Sequence, residues 1–196
     1  MQIDTEHLHY WMCAIRDSED PKRVLEAFWR GQIVSKEWLI TNLEKHAITP
    51  SRIDIFGGWY GVLASMLFQS KISVRDIRSI DIDPKCQATA ILMNKEEEMT
   101  HRFYAVTADM VTMPSNADIV INTSCEHINQ EQYDMWLSGI SLDSLIVLQS
   151  NNYKIDEHIR TAETLEEFVD QSHLNVLFAG ELPLPLYKRF MIIGRK

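Results

Sequence analysis

The residues best suited to chemistry are a glycine cluster and a set of carboxylates, each placed where an apolar run ends. Residues 53–61 read Ile-Asp-Ile-Phe-Gly-Gly-Trp-Tyr-Gly, an apolar strand entering a glycine-rich turn, and an apolar helix succeeds it at once as 62–68. Gly57, Gly58 and Gly61 let a backbone turn sharply and approach a ligand where a side chain would obstruct it. Glycine clusters also make ordinary turns, so the residues beyond the cluster carry the weight. Ser-Ile-Asp-Ile-Asp-Pro at 79–84 reads as a short strand ending in acids, with Pro84 suited to open a helix. Asp81 then stands where a carboxylate accepts hydrogen bonds from vicinal ribose hydroxyls. Asp83 suits helix capping or solvent. Residues 104–109 form a third strand ending in an acid, Asp109, and 117–128 form a fourth that empties into the polar loop Asn-Thr-Ser-Cys-Glu-His-Ile.

That loop holds the candidate for proton transfer. An imidazole titrates near neutrality, so His127 could take the proton of an attacking hydroxyl or amine. Cys125 beside it reads as a small buried residue. Residues 145–148 form a fully apolar fifth strand, buried on both faces. Its exit carries Gln149, Ser150, Asn151, Asn152 and Tyr153. Ligands in open α/β sheets bind outside the carboxyl ends of the strands, which makes Glu126, Asn151 and Tyr153 candidate substrate contacts. Ordinary turn chemistry of Asn and Ser explains the same cluster equally well.

Taken in this order, the four segments resemble the class I S-adenosylmethionine-dependent methyltransferases over roughly residues 50–196. The resemblance implies a Rossmann-like α/β fold: a seven-stranded, mostly parallel sheet with helices on both faces and an antiparallel C-terminal hairpin. Residues 176–182, a Pro-Leu-Pro turn and Tyr-Lys-Arg-Phe-Met-Ile-Ile-Gly-Arg-Lys would form that hairpin. It implies S-adenosylmethionine as cofactor, with its methionine part on Gly57, Gly58 and Gly61, its ribose on Asp81 and its adenine amino group on Asp109. Asp54, Phe56, Trp59, Tyr60, Ile82, Met110 and Asn122 flank those positions and complete the expected cofactor set. The usual Gly-x-Gly-x-Gly spacing is altered, because Trp59 and Tyr60 stand before Gly61. Either ring could line the pocket or pack on the next helix. A dinucleotide dehydrogenase shares the strand, turn, helix and acid, but its first glycine would have to be Phe56. Metal-using relatives carry Glu-x-x-Glu-His after the fourth strand; here Thr123 replaces the first Glu, leaving Glu126, His127 and a distant His158 or His173, and no metal site is expected.

The implied activity is methyl transfer to an O or N of a small molecule. Other group transfers or cyclisations, a nucleic-acid methyltransferase and a non-catalytic cofactor-binding subunit are the alternatives. The loop after the fourth strand lacks the Asn/Asp-Pro-Pro-aromatic turn of base-amino methyltransferases. A net charge of −9 also points away from nucleic acid, which needs Lys and Arg against its phosphates. Lys188, Arg189, Arg195 and Lys196 read as a solvated strand edge.

The elements that must position these residues are legible from pattern. With 196 residues, 45% hydrophobic and 24% charged, the chain suffices for one α/β core. Residues 1–50 read as an N-terminal helical addition, capping the substrate or docking on residues 51–196. Val24, Leu25, Phe28 and Trp29 suggest a helix over 21–30, and Ser35 could cap a helix bearing Trp38, Leu39 and Leu43. Residues 129–140 suggest a helix with Tyr133, Trp136, Leu137 and Ile140 on its core face. Thr164 with Glu167 suggests a capped start. Cys13, Cys86 and Cys125 lack disulfide spacing, and neither a secretory signal nor a membrane span is evident, so a cytoplasmic protein is expected.

Overall fold

The computed structural model describes residues 4–46 and 49–196. Three helices come first: α1 (Thr5–Asp17), α2 (Pro21–Glu26) and α3 (Arg30–Leu43). Asp4 caps α1 through the Glu6 amide, and Asp20 caps α2 through the Arg23 amide with Pro21 at its first turn. The helix expected over 21–30 ends at Glu26. Ser35 is not a cap: it lies buried inside α3, where its carbonyl accepts from Gln149 Nε2 at 3.1 Å. Burial of Leu39, Ile40 and Leu43 along one continuous helix outweighs the capping preference of a lone serine.

The remaining elements alternate as the periodicity demands: β1 (Arg52–Phe56), α4 (Val62–Phe68), β2 (Asp76–Asp81), α5 (Lys85–Met93), α6 (Lys95–Met99), β3 (Phe103–Thr107) and β4 (Ile119–Asn122), then α7 (Gln130–Ser138), β5 (Leu145–Asn151), α8 (Leu165–Ser172), β6 (Asn175–Pro183) and β7 (Lys188–Arg195). The sheet runs β3-β2-β1-β4-β5-β7-β6. β1 to β5 are mutually parallel, whereas β7 is antiparallel to both β5 and β6. This is the seven-stranded, mostly parallel sheet with a terminal hairpin that was expected.

Strand alternation divides the apolar residues between two cores. Ile53, Ile55, Ile119, Ile121, Leu145 and Val147 face one way, against Trp11, Val24, Leu39 and Leu43 of the N-terminal helices and Leu63, Met66 and Ala90 of α4 and α5. Phe56, Val120, Ile146, Leu148, Phe190 and Ile192 face the other, against Tyr133 and Trp136 of α7 and Phe168 of α8. Asn129 and Gln132 form a capping box on α7, and Thr164 caps α8 through the Glu167 amide. The first helices are tied in by polar contacts as well. Trp11 Nε1 donates to Ser65 Oγ at 3.0 Å, and His7, buried in α1, meets Glu97 at 3.2 Å. Among the described residues no helix is long and apolar enough to cross a membrane.

Strand order reverses between β1 and its neighbours β2 and β4, which opens a crevice beyond their carboxyl ends.

Candidate functional site

A cavity of about 840 Å³ occupies that crevice. Its volume falls within the range of roughly 300–1,000 Å³ common for small-ligand pockets. One end is built from the turn after β1 and the acids after β2 and β3. Gly57 (φ +67°), Trp59 (φ 49°) and Gly61 (φ +75°) all take left-handed backbone. Gly58 N–H donates to the Ile80 carbonyl at 3.0 Å, and a Cβ on Gly58 would lie 2.0 Å from Ser79 Oγ. The turn is thus clamped onto β2, with no room for a side chain at that position.

Asp81 is fixed from both sides. Its Oδ2 accepts from Trp59 N–H at 2.8 Å and its Oδ1 from Asp83 N–H at 3.0 Å. Each oxygen keeps a lone pair for a further donor. Gly57, Gly58, Trp59, Tyr60, Asp81, Ile82, Asp109 and Met110 all line the cavity. Asp109 also caps the turn at 110–112 through Val111 N–H. The two rings after the glycines divide the work foreseen for either one. Tyr60 is buried in the first core, and Trp59, tilted on it at 5.0 Å, packs beside that core and faces the cavity. Arg23 of α2 sits over Tyr60 at 5.7 Å and bonds Asp83 at 2.6 Å, strapping the N-terminal helices to the loop. That guanidinium is the main reason the Asp83 carboxyl lies below its usual range. Asp83 also accepts from Lys85 N–H at the start of α5.

Several expected contacts are placed elsewhere. Asp54 does not line the cavity: fully buried at mid-strand, it is held by Arg78, with Nε at 2.7 Å, and by Ser115 Oγ at 2.5 Å. Phe56 points into the second core against Trp136, because strand alternation sends it there. Gly61 packs α4 onto α5, where a Cβ would lie 2.6 Å from Asn94 Nδ2. Asn122 is buried and turns back to accept from Ser124 N–H at 2.9 Å. Asn151 and Tyr153 also stand outside the lining. Asn151 Nδ2 instead holds Glu126 at 2.6 Å, and Tyr153 stacks on Tyr187 at 5.4 Å.

The opposite end assembles residues distant in sequence. Glu126, 3% exposed, pairs with Arg189 Nη1 at 2.7 Å, while Arg189 Nη2 donates to the Thr123 carbonyl at 2.6 Å. Arg189 is buried, not part of a solvated edge, because β7 lies inside the sheet between β5 and β6. The unbroken apolar run Phe190–Ile193 directly after it was the available signal. His127 is exposed and lines the cavity, with Nδ1 on the Glu157 carbonyl at 3.0 Å. Lys36 of α3 lines it too, its ammonium bonded to Gln32 Oε1 at 2.8 Å. Burial, and then the charge of Arg189, push the Lys36 pKa down to about 7. Nothing local marks Lys36, which in sequence is an ordinary helix lysine. Cys125 is fully buried, and burial pushes its thiol up to about 12, which makes it inert as a nucleophile at neutral pH. All three cysteines are free thiols.

No protein-family model matches the chain, and no curated protein matches it in sequence. Solved structures match it in fold. The pyocyanin biosynthetic protein PhzM superposes with a TM-score of 0.67 at 16% identity, over 95% of this chain and 62% of that one, so the chain spans about three fifths of that relative's length. The N-methyltransferase NodS of Bradyrhizobium japonicum WM9, solved with S-adenosyl-L-homocysteine, gives 0.68 at 11% identity, over 95% of this chain and 98% of that one. Magnesium protoporphyrin IX methyltransferase of Synechocystis PCC 6803, solved with bound S-adenosylmethionine, gives 0.65 at 16% identity, over 98% and 92%. The chain therefore has the fold of the class I S-adenosylmethionine-dependent methyltransferases.

Proposed function

We propose that this protein is an S-adenosylmethionine-dependent methyltransferase acting on an oxygen or nitrogen of a small molecule. The observation that carries this reading is convergence: the Gly57-Gly58 turn, Asp81 and Asp109 meet on one cavity at the switch point of the sheet. Open lone pairs on Asp81 suit ribose hydroxyls, Gly57 and Gly58 suit the methionine part, and Asp109 with Ile82 and Met110 suits adenine. When bound, S-adenosylmethionine supplies a methyl group activated on a sulfonium.

The chain's own residues then hold and align the acceptor and exclude water. The N-terminal helices α2 and α3 act as a cap over the α/β domain, for Arg23, Gln32 and Lys36 reach the cavity from them. A cavity bounded by helices favours a small acceptor over a nucleic acid. Lys36, partly a neutral amine near pH 7, can accept the acceptor's proton at Nζ. His127, the sequence candidate for that role, keeps Nε2 free at the same end. Free thiols suit a reducing, cytoplasmic setting.

Calorimetric titration with S-adenosylmethionine and S-adenosylhomocysteine, beside NAD, tests the cofactor. Both sulfur ligands should bind and NAD should not. Asp81→Ala should weaken them at least about tenfold, as expected for losing a hydrogen bond to a charged group. Preference for NAD would sink this reading. Screening hydroxyl and amine acceptors for methylated product by mass spectrometry then tests the reaction.

A further inference from the structure

One buried carboxylate oxygen at the acceptor end, Oε2 of Glu126, has no partner. Its twin Oε1 accepts twice, from Asn151 Nδ2 at 2.6 Å and Arg189 Nη1 at 2.7 Å. An unbonded oxygen on a buried carboxylate is costly unless a ligand meets it. Two imidazoles stand beside this carboxylate. His127 Nδ1 meets the Glu157 carbonyl at 3.0 Å, and His158 Nδ1 meets the Tyr153 carbonyl at 2.6 Å. A carbonyl only accepts, so both rings carry hydrogen on Nδ1 and offer Nε2 as an electron-pair donor. The rings meet edge to face with centroids 4.9 Å apart, and ligand atoms of Glu126, His127 and His158 lie within 4.8 Å of one another.

We propose that Glu126, His127 and His158 bind one divalent first-row transition ion at the rim of the cavity. Two ligand atoms about 2.1 Å from one ion are at most about 4.2 Å apart, so closure needs only small side-chain rotations. Two imidazoles and a carboxylate suit zinc, iron, cobalt or manganese better than magnesium, and three protein ligands leave positions open. The outer contacts are already in place. Backbone carbonyls orient both rings, and Asn151 and Arg189 orient the carboxylate. The segment bearing His158 is pinned to Glu126 itself, whose carbonyl accepts from Ile159 N–H at 2.9 Å and Arg160 N–H at 3.1 Å.

This departs from the expectation of no metal, which weighed the missing carboxylate at Thr123 and counted His158 as distant. The fold closes that distance, and Thr123 contributes its carbonyl to Arg189 instead. His127 then serves the ion and Lys36 the proton. That last step rests on the methyltransferase reading; binding of the ion does not.

The test strips the full chain with EDTA and titrates it with Co²⁺, Zn²⁺ and Mg²⁺ by calorimetry and visible absorption. One equivalent of Co²⁺ or Zn²⁺ should bind, Co²⁺ with a d–d band, and Mg²⁺ should not saturate. His127→Ala and His158→Ala should each weaken Co²⁺ at least about tenfold, and Asn151→Ala about 10- to 100-fold through Glu126. Each variant should retain a cooperative thermal transition and unchanged S-adenosylhomocysteine affinity. No stoichiometric Co²⁺ or Zn²⁺ site in the parent chain, or a site that survives both histidine changes, overturns the proposal. Ion binding without any S-adenosylhomocysteine binding upholds the ion and sinks the cofactor reading.

Discussion

The two ends of the cavity are built by different means. At the end bearing Gly57, Gly58, Asp81 and Asp109, backbone does most of the work: left-handed turns, amides on a carboxylate, and acids that come directly after strands. At the other end, side chains from α3, the loop after β4, the exit of β5 and β7 meet, among them Lys36, Glu126, Asn151, His158 and Arg189. The first end is a local product of strand, turn and helix. The second exists only once the sheet has closed. A backbone-built site tolerates little variation in its turn, whereas a side-chain-built site can change its chemistry on an unchanged fold.

The largest effect should come from the foundation of the first end. Arg78→Ala would leave Asp54 charged and buried beneath the glycine turn, at a cost of about 3–5 kcal/mol in urea unfolding. A loss under about 1 kcal/mol, the range of an exposed pair, would show that this pair supports little. Next comes the turn itself. Gly57→Ala forces a side chain into left-handed backbone, at about 1–2 kcal/mol, and puts a Cβ 2.3 Å from Ser124 Oγ. S-adenosylhomocysteine affinity should fall while metal binding at the other end persists. Loss of both together would mean that the two ends are not independent.

Lys36→Met should give the sharpest distinction. Folding holds the Lys36 pKa at about 7, whereas an unfolded lysine titrates near 10.4. Between those values the unfolded chain binds more protons, so the Lys36 contribution makes stability rise with pH across that window. Denaturation midpoints measured at about pH 6 and about pH 9 should show this rise, and Lys36→Met should flatten it. Cofactor affinity should not move, and the activity of the variant should lose its rising limb near pH 7. An unaltered pH profile would exclude Lys36 from proton transfer.

Much of the first end was legible in sequence because it depends on neighbours along the chain. An apolar run followed by glycines, or by Asp81, states both the strand and what stands at its mouth. What the chain did not state there was side-chain direction, and that Gly61 serves to pack α4 onto α5. Strand alternation sent Phe56 into the second core, and Asp54, fully buried, found its partner in Arg78 of the adjacent strand. Asn151 and Tyr153 were placed at the correct edge, yet they support Glu126 and the aromatic stack instead of lining the cavity.

By itself, the sequence determined the order of strands and helices, the glycine turn and the acids at strand ends, since periodicity, turn chemistry and capping act over a few residues. Tertiary structure alone decided that Arg189 meets Glu126, that Lys36 is drawn toward neutrality, and that His158 reaches His127. Burial, charge and ligand distance depend on which segments a closed sheet brings together, and no local pattern in the chain encodes that.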